Sequence, residues 1–209
     1  MKNSGNKKTF KVAGLAGLGA ILTAGAVLIA NGQSISSGDE KALVAIRDAY
    51  QAAMNSAGNA GSNSVSEFAQ RYLDASFRGT MMTDTEVKSP ADFLAFTDKM
   101  KALIGLPKGK YEIKEINTLA RFAAGNTAVS VGTTKESVQA AALDPKTGRT
   151  IMGQPLSYNT MWTAVLSKDS GSWKIVWAHS KVTSGDISDG KMKEIKELAA
   201  KANAPAKGG

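Results

Sequence analysis

The chain's single histidine, His179, is its most versatile group for chemistry, because an imidazole titrates near neutrality and can serve as an acid or a base. The alternative interpretation is a histidine hydrogen-bonded at the edge of a sheet. One histidine and no cysteine exclude multi-histidine metal sites, Cys-ligated zinc, iron–sulfur clusters, disulfides and thiolate nucleophiles. The sequence therefore predicts no metal and no other cofactor.

Aromatic and hydroxyl side chains are the other groups of interest. Trp162 and Trp177 fit the lining of a ligand pocket, but they equally fit a core or a dimer interface, where aromatic residues of strands often pack. Tyr158, near the start of the predicted final hairpin, belongs to the same set. No arrangement of serine, histidine and aspartate supports a catalytic triad.

The net charge of +8 over 209 residues is unevenly distributed. Four lysines and no acid lie within the first eleven residues, and the segment from Asp189 onward carries a further net +2. The body between them is nearly neutral. A nucleic-acid-binding domain concentrates its positive charge on the folded face, so we expect no nucleic-acid partner.

Residues 12–30 form an uncharged segment, VAGLAGLGAILTAGAVLIA, directly after the lysines. As a helix, nineteen residues span about 28 Å, close to the hydrocarbon thickness of a bilayer. Lysines in front of such a segment place the N-terminus, residues 1–11, in the cytoplasm and the remainder outside. The sequence therefore predicts a bacterial inner-membrane anchor with a periplasmic domain.

A cleaved signal peptide is the alternative interpretation of the same segment. Ala24-Gly25-Ala26 has the small-residue pattern of a cleavage site, and cleavage there would release the domain into the periplasm. If the segment is retained, small residues at four-residue spacing would let two membrane helices approach closely. These residues are Ala13 with Gly17, and Ala16 with Ala20 and Ala24.

Three helices are predicted after a short polar linker, residues 31–38, because apolar residues recur there at helical spacing. Ser37 and Ser64 each precede a glutamate by three residues, which is the spacing of a capping box. Ser89 precedes a proline at the first position of the third helix. A short strand is expected within residues 75–82, between the second and third helices.

From residue 110 onward the apolar pattern alternates, which predicts four long strands joined by short turns. They are expected over residues 110–122, 127–141, 151–166 and 173–182, with a bulge in the first. Such strands imply an α+β fold in which the helices pack on one face of a strongly twisted antiparallel sheet. Residues 185–209 are expected to form a short helix, over residues 189–202, and a frayed tail.

Two stretches and the order of the elements carry a resemblance to a known fold. One is IRDAYQAAMN in the first helix, and the other is the last hairpin, residues 158–182, with its SGSWKIVWAHSKV ending. Over residues 39–184 the chain resembles the nuclear transport factor 2-like (NTF2-like) fold, in its SnoaL-like branch. The resemblance implies a cone-like half-barrel with a pocket at its open end, and a homodimer formed through the sheet.

The resemblance also implies where catalytic residues would lie if the chain worked like ketosteroid isomerase and its relatives. Those enzymes use a tyrosine, a general-base aspartate and a second acid. Tyr50 falls at the tyrosine position, but the base position falls at or near Gly79 and the second acid near Met161. Proton abstraction of that type is therefore not expected, unless a shift of register lets Asp84 replace the base.

Two functions from different classes follow. The first, which we favour, is a non-catalytic, membrane-tethered periplasmic module that binds a small apolar ligand or another subunit of a membrane-associated assembly. The second is a periplasmic SnoaL-like pocket enzyme, an isomerase, dehydratase or hydrolase, in which Tyr50, His179 and a carboxylate (Asp74 or Asp84) would converge on one cavity. The predicted pocket or interface residues are Tyr50, Tyr158, Trp162, Trp177 and His179.

Overall fold

A computed structural model describes residues 35–187, except for residues 60, 83, 145 and 170. The helices are α1 (Ser37–Ser56), α2 (Ser64–Tyr72) and α3 (Pro90–Ile104). The strands are β1 (Leu73–Met81), β2 (Thr85–Val87), β3 (Lys110–Ala124), β4 (Thr127–Gln139), β5 (Ala141–Leu143), β6 (Thr150–Met152), β7 (Leu156–Ser167) and β8 (Lys174–Gly185).

Two predicted elements lie outside the described residues: the membrane or signal segment, residues 12–30, and the C-terminal helix, residues 189–202. Within the described part of the chain, no helix is long and apolar enough to cross a membrane.

Serine side chains cap the N-termini of two of the three helices, because a serine oxygen can accept a hydrogen bond from a backbone N–H group left unpaired at a helix N-terminus. Ser89 accepts from the backbone N–H of Asp92 at 3.1 Å, which confirms the predicted cap of α3. In α1 the capping residue is Ser36, one residue earlier than predicted. The predicted cap at Ser64 is wrong, because its hydroxyl instead donates to the carbonyl of Ala53 in α1.

Six strands form one sheet in the order β2-β1-β8-β7-β4-β3, and β5 pairs with β6 in a separate hairpin. Neighbouring strands are antiparallel except β1 and β8, which run parallel, with Arg78 opposite Trp177 and Thr80 opposite His179. The sheet is therefore mixed, and the prediction of a purely antiparallel sheet is wrong. The difference arises because β1 enters from the helical half of the chain and pairs with the last strand, which is distant in sequence.

The strand predicted over residues 151–166 is divided in two. Residues 153–155 (Gly-Gln-Pro) separate β6 from β7, and proline cannot donate a hydrogen bond to a strand ladder. The predicted bulge in β3 is confirmed, since its register against β4 shifts between Ile113 and Glu115 and again between Thr118 and Ala120.

The main core lies between the helices and the sheet. Phe77 of β1 is 1 % exposed and makes an edge-to-face contact with Phe93 of α3. At one border of this core, Asp39 joins α1 to the β7–β8 turn by accepting from Lys168 Nζ at 2.8 Å and from Trp173 Nε1 at 2.7 Å. A second, smaller cluster of buried residues is formed by Tyr158 of β7, Val182 of β8 and Ile187.

Candidate functional site

A cavity of about 460 Å³ lies between the helices and the inner face of the sheet. Its walls come from α1 and α3 on one side and from inward-facing positions of β4, β7 and β8 on the other. Apolar side chains dominate the lining, among them Leu43, Ile46, Phe68, Phe77, Phe93 and Leu166. The volume falls within the range of about 300–1,000 Å³ that is typical of small-molecule sites.

One carboxylate, Glu136, lies in this apolar cavity and is only 5 % exposed. Its Oε2 accepts hydrogen bonds from the hydroxyls of Tyr111 at 2.5 Å and Tyr158 at 2.9 Å. Its Oε1 accepts from Thr134 Oγ1 at 2.5 Å. We call Glu136, Tyr111, Tyr158 and Thr134 the carboxylate cluster. Three of about four acceptor positions of the carboxylate are thus occupied by hydroxyl groups.

Strand register brings the carboxylate cluster together. Alternate residues of β4 point to the cavity, so that Thr134 and Glu136 are buried while Lys135 between them is exposed. Tyr158 of β7 is directly opposite Glu136 in the antiparallel ladder. Tyr111 of β3 lies diagonally across from Glu136, two residues before its partner Ile113. Such direct and diagonal neighbours are within reach of long side chains.

Burial raises the pKa of Tyr158, Tyr111 and Tyr50 above the usual value, and the negative charge of Glu136 adds to the rise. All three phenols therefore keep their protons at physiological pH. The hydroxyls of Tyr111 and Tyr158 act as hydrogen-bond donors to the carboxylate.

Two arginines border the cavity near α1 and β3, and acids pair with both. Arg121 forms an ion pair with Glu40 and also donates to Ser130 Oγ at 3.1 Å. Arg47 pairs with Asp48 at 2.8 Å. By contrast, Glu136 takes part in no ion pair found among the described residues. That part of the chain also contains no group of three or more His, Asp or Glu side chains that could hold a metal ion.

No protein-family model and no curated protein matches the sequence. Solved structures do match it. A protein from Streptomyces avermitilis described as a dehydratase of the NTF2-like family aligns over 70% of this chain and 98% of its own, with 12% identity and a TM-score of 0.52. A protein from Novosphingobium aromaticivorans described as a scytalone dehydratase aligns over 70% and 85%, with 10% identity and a TM-score of 0.51. The domain has the NTF2-like fold.

A type 2 hexachlorocyclohexane dehydrochlorinase is a third similar structure, over 71% of this chain and 87% of its own, with 9% identity and a TM-score of 0.52. At these identities the similarity establishes the fold alone. The predicted NTF2-like fold and its α+β class are thereby confirmed.

The NTF2-like domain brings several of the predicted site residues to one cavity. Tyr50, Tyr158 and Trp162 line it, and His179 borders it. The ring of His179 stacks on Trp177, with ring centroids 6.1 Å apart and planes 12° apart. Because neighbouring residues of a strand face opposite ways, these two rings project from the face opposite that of Ala178, which lines the cavity.

A bulge in β8 explains where Trp177 lies. Ile175 is opposite Leu166 and Trp177 is opposite Val165, which leaves Val176 between them without a partner. The extra residue moves Trp177 to the outer face, whereas Ile175 lines the cavity. Simple alternation along the last predicted strand, residues 173–182, predicts one shared face for Trp173, Ile175, Trp177 and His179. That prediction is wrong, because Trp173 and Ile175 are buried in the core and the bulge separates them from the other two residues.

The predicted aspartates do not join the cavity residues of the NTF2-like domain. Asp84 is exposed, with a φ of 55° in the β1–β2 turn. Asp74 accepts from the hydroxyl and backbone N–H of Ser76, and these bonds hold its pKa below the usual value. A side chain at the predicted base position, Gly79, would clash with the next strand, because an added Cβ would lie 2.2 Å from the carbonyl oxygen of Ala178. At the predicted position of the second acid, Met161 is 46 % exposed.

Sequence reasoning missed Glu136 and Tyr111. No alternation signal pointed to Glu136, because it shares its face of β4 with polar residues such as Ser130 and Thr134. Two of the larger apolar residues, Val129 and Val131, lie on the other face of the strand. The position of Tyr111 beside it depends on the pairing of β3 with β4, whose register shifts twice and is not readable from either strand alone.

Proposed function

We propose that the domain binds a small, largely apolar molecule in its cavity without transforming it. The observation that supports this most is the cavity itself, about 460 Å³ with mainly apolar walls and one buried carboxylate. A few placed polar groups in an apolar cavity are typical of sites that orient a ligand.

The arrangement of Glu136 favours binding over proton transfer. A general base must reach the proton it removes with a free lone pair. In Glu136 the hydroxyls of Thr134, Tyr111 and Tyr158 occupy three acceptor positions, so the carboxylate is already engaged within the protein. The ring of His179, the only other titratable group that sequence analysis offered for this role at the cavity, stacks on Trp177 instead.

A cavity-filling variant tests the proposal. Ala164 of β7 lines the cavity, and its neighbour Val165 is opposite Trp177 on the outer face. The full-length chain should bind the neutral fluorescent probe N-phenyl-1-naphthylamine saturably. Ala164→Phe should weaken binding at least about tenfold by occupying the cavity, whereas Val165→Phe should leave it unchanged. Absence of saturable binding, or equal loss in both variants, would refute the proposal.

A pocket enzyme is the second candidate, and Glu136 is the observation in its favour. It supplies the carboxylate near Tyr50 that the predicted Asp74 and Asp84 do not. Such an enzyme, an isomerase, dehydratase or hydrolase, would convert a bound small molecule, and Glu136→Gln would abolish the conversion. Mass spectrometry of ligands incubated with the protein distinguishes the two candidates.

We also propose that residues 12–30 tether the domain to the periplasmic face of a bacterial inner membrane. The support is the uncharged segment preceded by four lysines. Intact mass and carbonate extraction of the protein from its native host test this: a full-length species that stays in the membrane is expected. A soluble chain starting near Val27 or Gln33 would refute the tether and leave the cavity proposal intact.

The SnoaL-like affiliation, the homodimer through the sheet and the association with other membrane subunits stay predictions. Light scattering of the purified chain measures the oligomeric state directly. Co-purification from gently solubilised membranes, followed by mass spectrometry, identifies stably bound subunits.

A further inference from the structure

Two buried polar atoms in the described part of the chain have no hydrogen-bond partner: Thr160 Oγ1 and Trp162 Nε1. Both residues line the cavity, at successive inward-facing positions of β7, and Thr160 is only 2 % exposed. Nearly all buried polar groups in folded proteins are hydrogen-bonded, because an unpaired one loses its water without compensation. These two atoms, on neighbouring residues of one cavity wall, are free to pair with a bound molecule once their side chains turn toward the cavity.

The position of the Trp162 indole depends on the residue opposite it. Gly132 of β4 pairs with Trp162, and a Cβ added to Gly132 would lie 2.3 Å from Cζ2 and 2.5 Å from Cε2 of the indole. The absence of a side chain at Gly132 therefore lets the ring lie across β4. Because an indole N–H can only donate, the ligand must present an acceptor to Trp162. The hydroxyl of Thr160 can donate to an oxygen of the ligand, or accept from one that carries a proton.

The charge of the acceptor is constrained by Glu136. Thr160 is opposite Thr134, and Glu136 is the next inward-facing residue of β4 after Thr134. Successive inward positions are about 7 Å apart along a strand, so a ligand anion at Thr160 would lie near a carboxylate that has no ion-pair partner among the described residues. Repulsion between like charges is strong in an apolar environment. An uncharged acceptor avoids this repulsion.

We propose that Thr160 and Trp162 form a polar subsite that binds an uncharged carbonyl or hydroxyl oxygen of an otherwise apolar ligand. This inference rests on the proposed function, since it specifies the class of molecule that the cavity takes. The apolar walls hold the body of the ligand, and the indole N–H donates to its oxygen.

Three probes of similar size test the subsite by calorimetric titration of the full-length chain. They are 2-acetylnaphthalene, which carries a carbonyl oxygen, 2-isopropylnaphthalene, which lacks it, and 2-naphthoate, which is an anion. The ketone should bind roughly tenfold more tightly than the hydrocarbon, because it pairs groups that the hydrocarbon leaves unpaired. The anion should bind more weakly than the ketone.

Variants assign the preference to the two side chains. In Thr160→Val and Trp162→Phe, the ratio of ketone to hydrocarbon affinity should fall toward one, and hydrocarbon binding serves as the internal check that the cavity persists. Trp177→Phe, on the outer face, is the matched control and should keep the full ratio.

Equal binding of ketone and hydrocarbon by the parent chain would overturn the subsite while leaving the cavity proposal standing. Tightest binding of 2-naphthoate would also overturn it, and would indicate recognition by the arginines Arg47 and Arg121. A preference that survives both Thr160→Val and Trp162→Phe would place the oxygen elsewhere. If none of the three probes binds saturably, the proposed function fails together with the subsite.

Discussion

Replacing Glu136 with leucine removes the shared acceptor of the carboxylate cluster and leaves its hydroxyls without their partner. Two of these hydroxyls are on deeply buried residues, Thr134 and Tyr158, which are 5 % and 4 % exposed. A buried hydroxyl that loses its partner costs about 1–3 kcal/mol, so the pair should lower the free energy of unfolding by roughly 2–6 kcal/mol. Tyr111 is less buried and is left out of this figure.

Urea unfolding followed by circular dichroism measures this loss, and a compensated variant isolates its cause. In the triple variant Thr134→Val, Glu136→Leu, Tyr158→Phe, no deeply buried hydroxyl of the cluster is left unpaired. Because replacing a whole buried polar group by apolar residues is often nearly neutral, the triple variant should recover most of the lost free energy. The reasoning is refuted if Glu136→Leu costs less than about 1 kcal/mol, or if the triple variant is as unstable as the single one.

Three further predictions test other parts of the fold. Gly132→Ala should lower the free energy of unfolding by about 2 kcal/mol or more, because the added Cβ would lie 2.0 Å from the carbonyl oxygen of Asn117 and 2.3 Å from Cζ2 of the Trp162 indole. The near-ultraviolet circular dichroism spectrum should change as the indole moves, and an unchanged spectrum would contradict the close contact. Hydrogen bonds lower the pKa of Asp39 from 3.8 to about 2, so its contribution to stability is present above pH 4 and disappears as the pH falls toward 2. The difference in Tm between the parent and Asp39→Asn should therefore shrink over that interval, and a constant difference would exclude the carboxylate as its source. Gly105→Ala should destabilise by about 2 kcal/mol or more, because φ is +69° and the added Cβ would meet a backbone oxygen at 2.1 Å; Gly148→Ala, with a similar φ but open space, should cost less in the same urea assay.

Local signals in the sequence predicted those parts of the fold that depend on neighbouring residues. The start of α3 follows from Ser89 and the proline after it, and the bulge in β3 follows from the shifted alternation of apolar residues. The parallel pairing of β1 with β8 has no such signal, because it depends on which distant strand borders β1 once the helices have packed. The alternation of residues along β8 also gave a wrong prediction, because the bulge at Val176 moves the residues after it to the opposite face of the sheet.

In the candidate site, too, residues with a local signal were predicted and those that depend on distant contacts were not. Tyr158 and Trp162 were predicted as pocket or interface residues because they occupy alternate positions of a predicted strand, and both line the cavity. The carboxylate cluster was not predicted, because its members come from three strands and meet only in the actual register. The unpaired state of Thr160 Oγ1 and Trp162 Nε1 is a property of three-dimensional packing that no sequence pattern carries.

The parallel contact between β1 and β8 also governs when the domain can assemble during synthesis. Thr80 and His179 are about a hundred residues apart in the chain, so β1 has no partner on that side until β8 has left the ribosome. Until then, the nascent chain presents β1 as an open strand edge. Contacts of such long sequence separation make folding slow, which lengthens the period in which a chaperone can hold the chain unfolded.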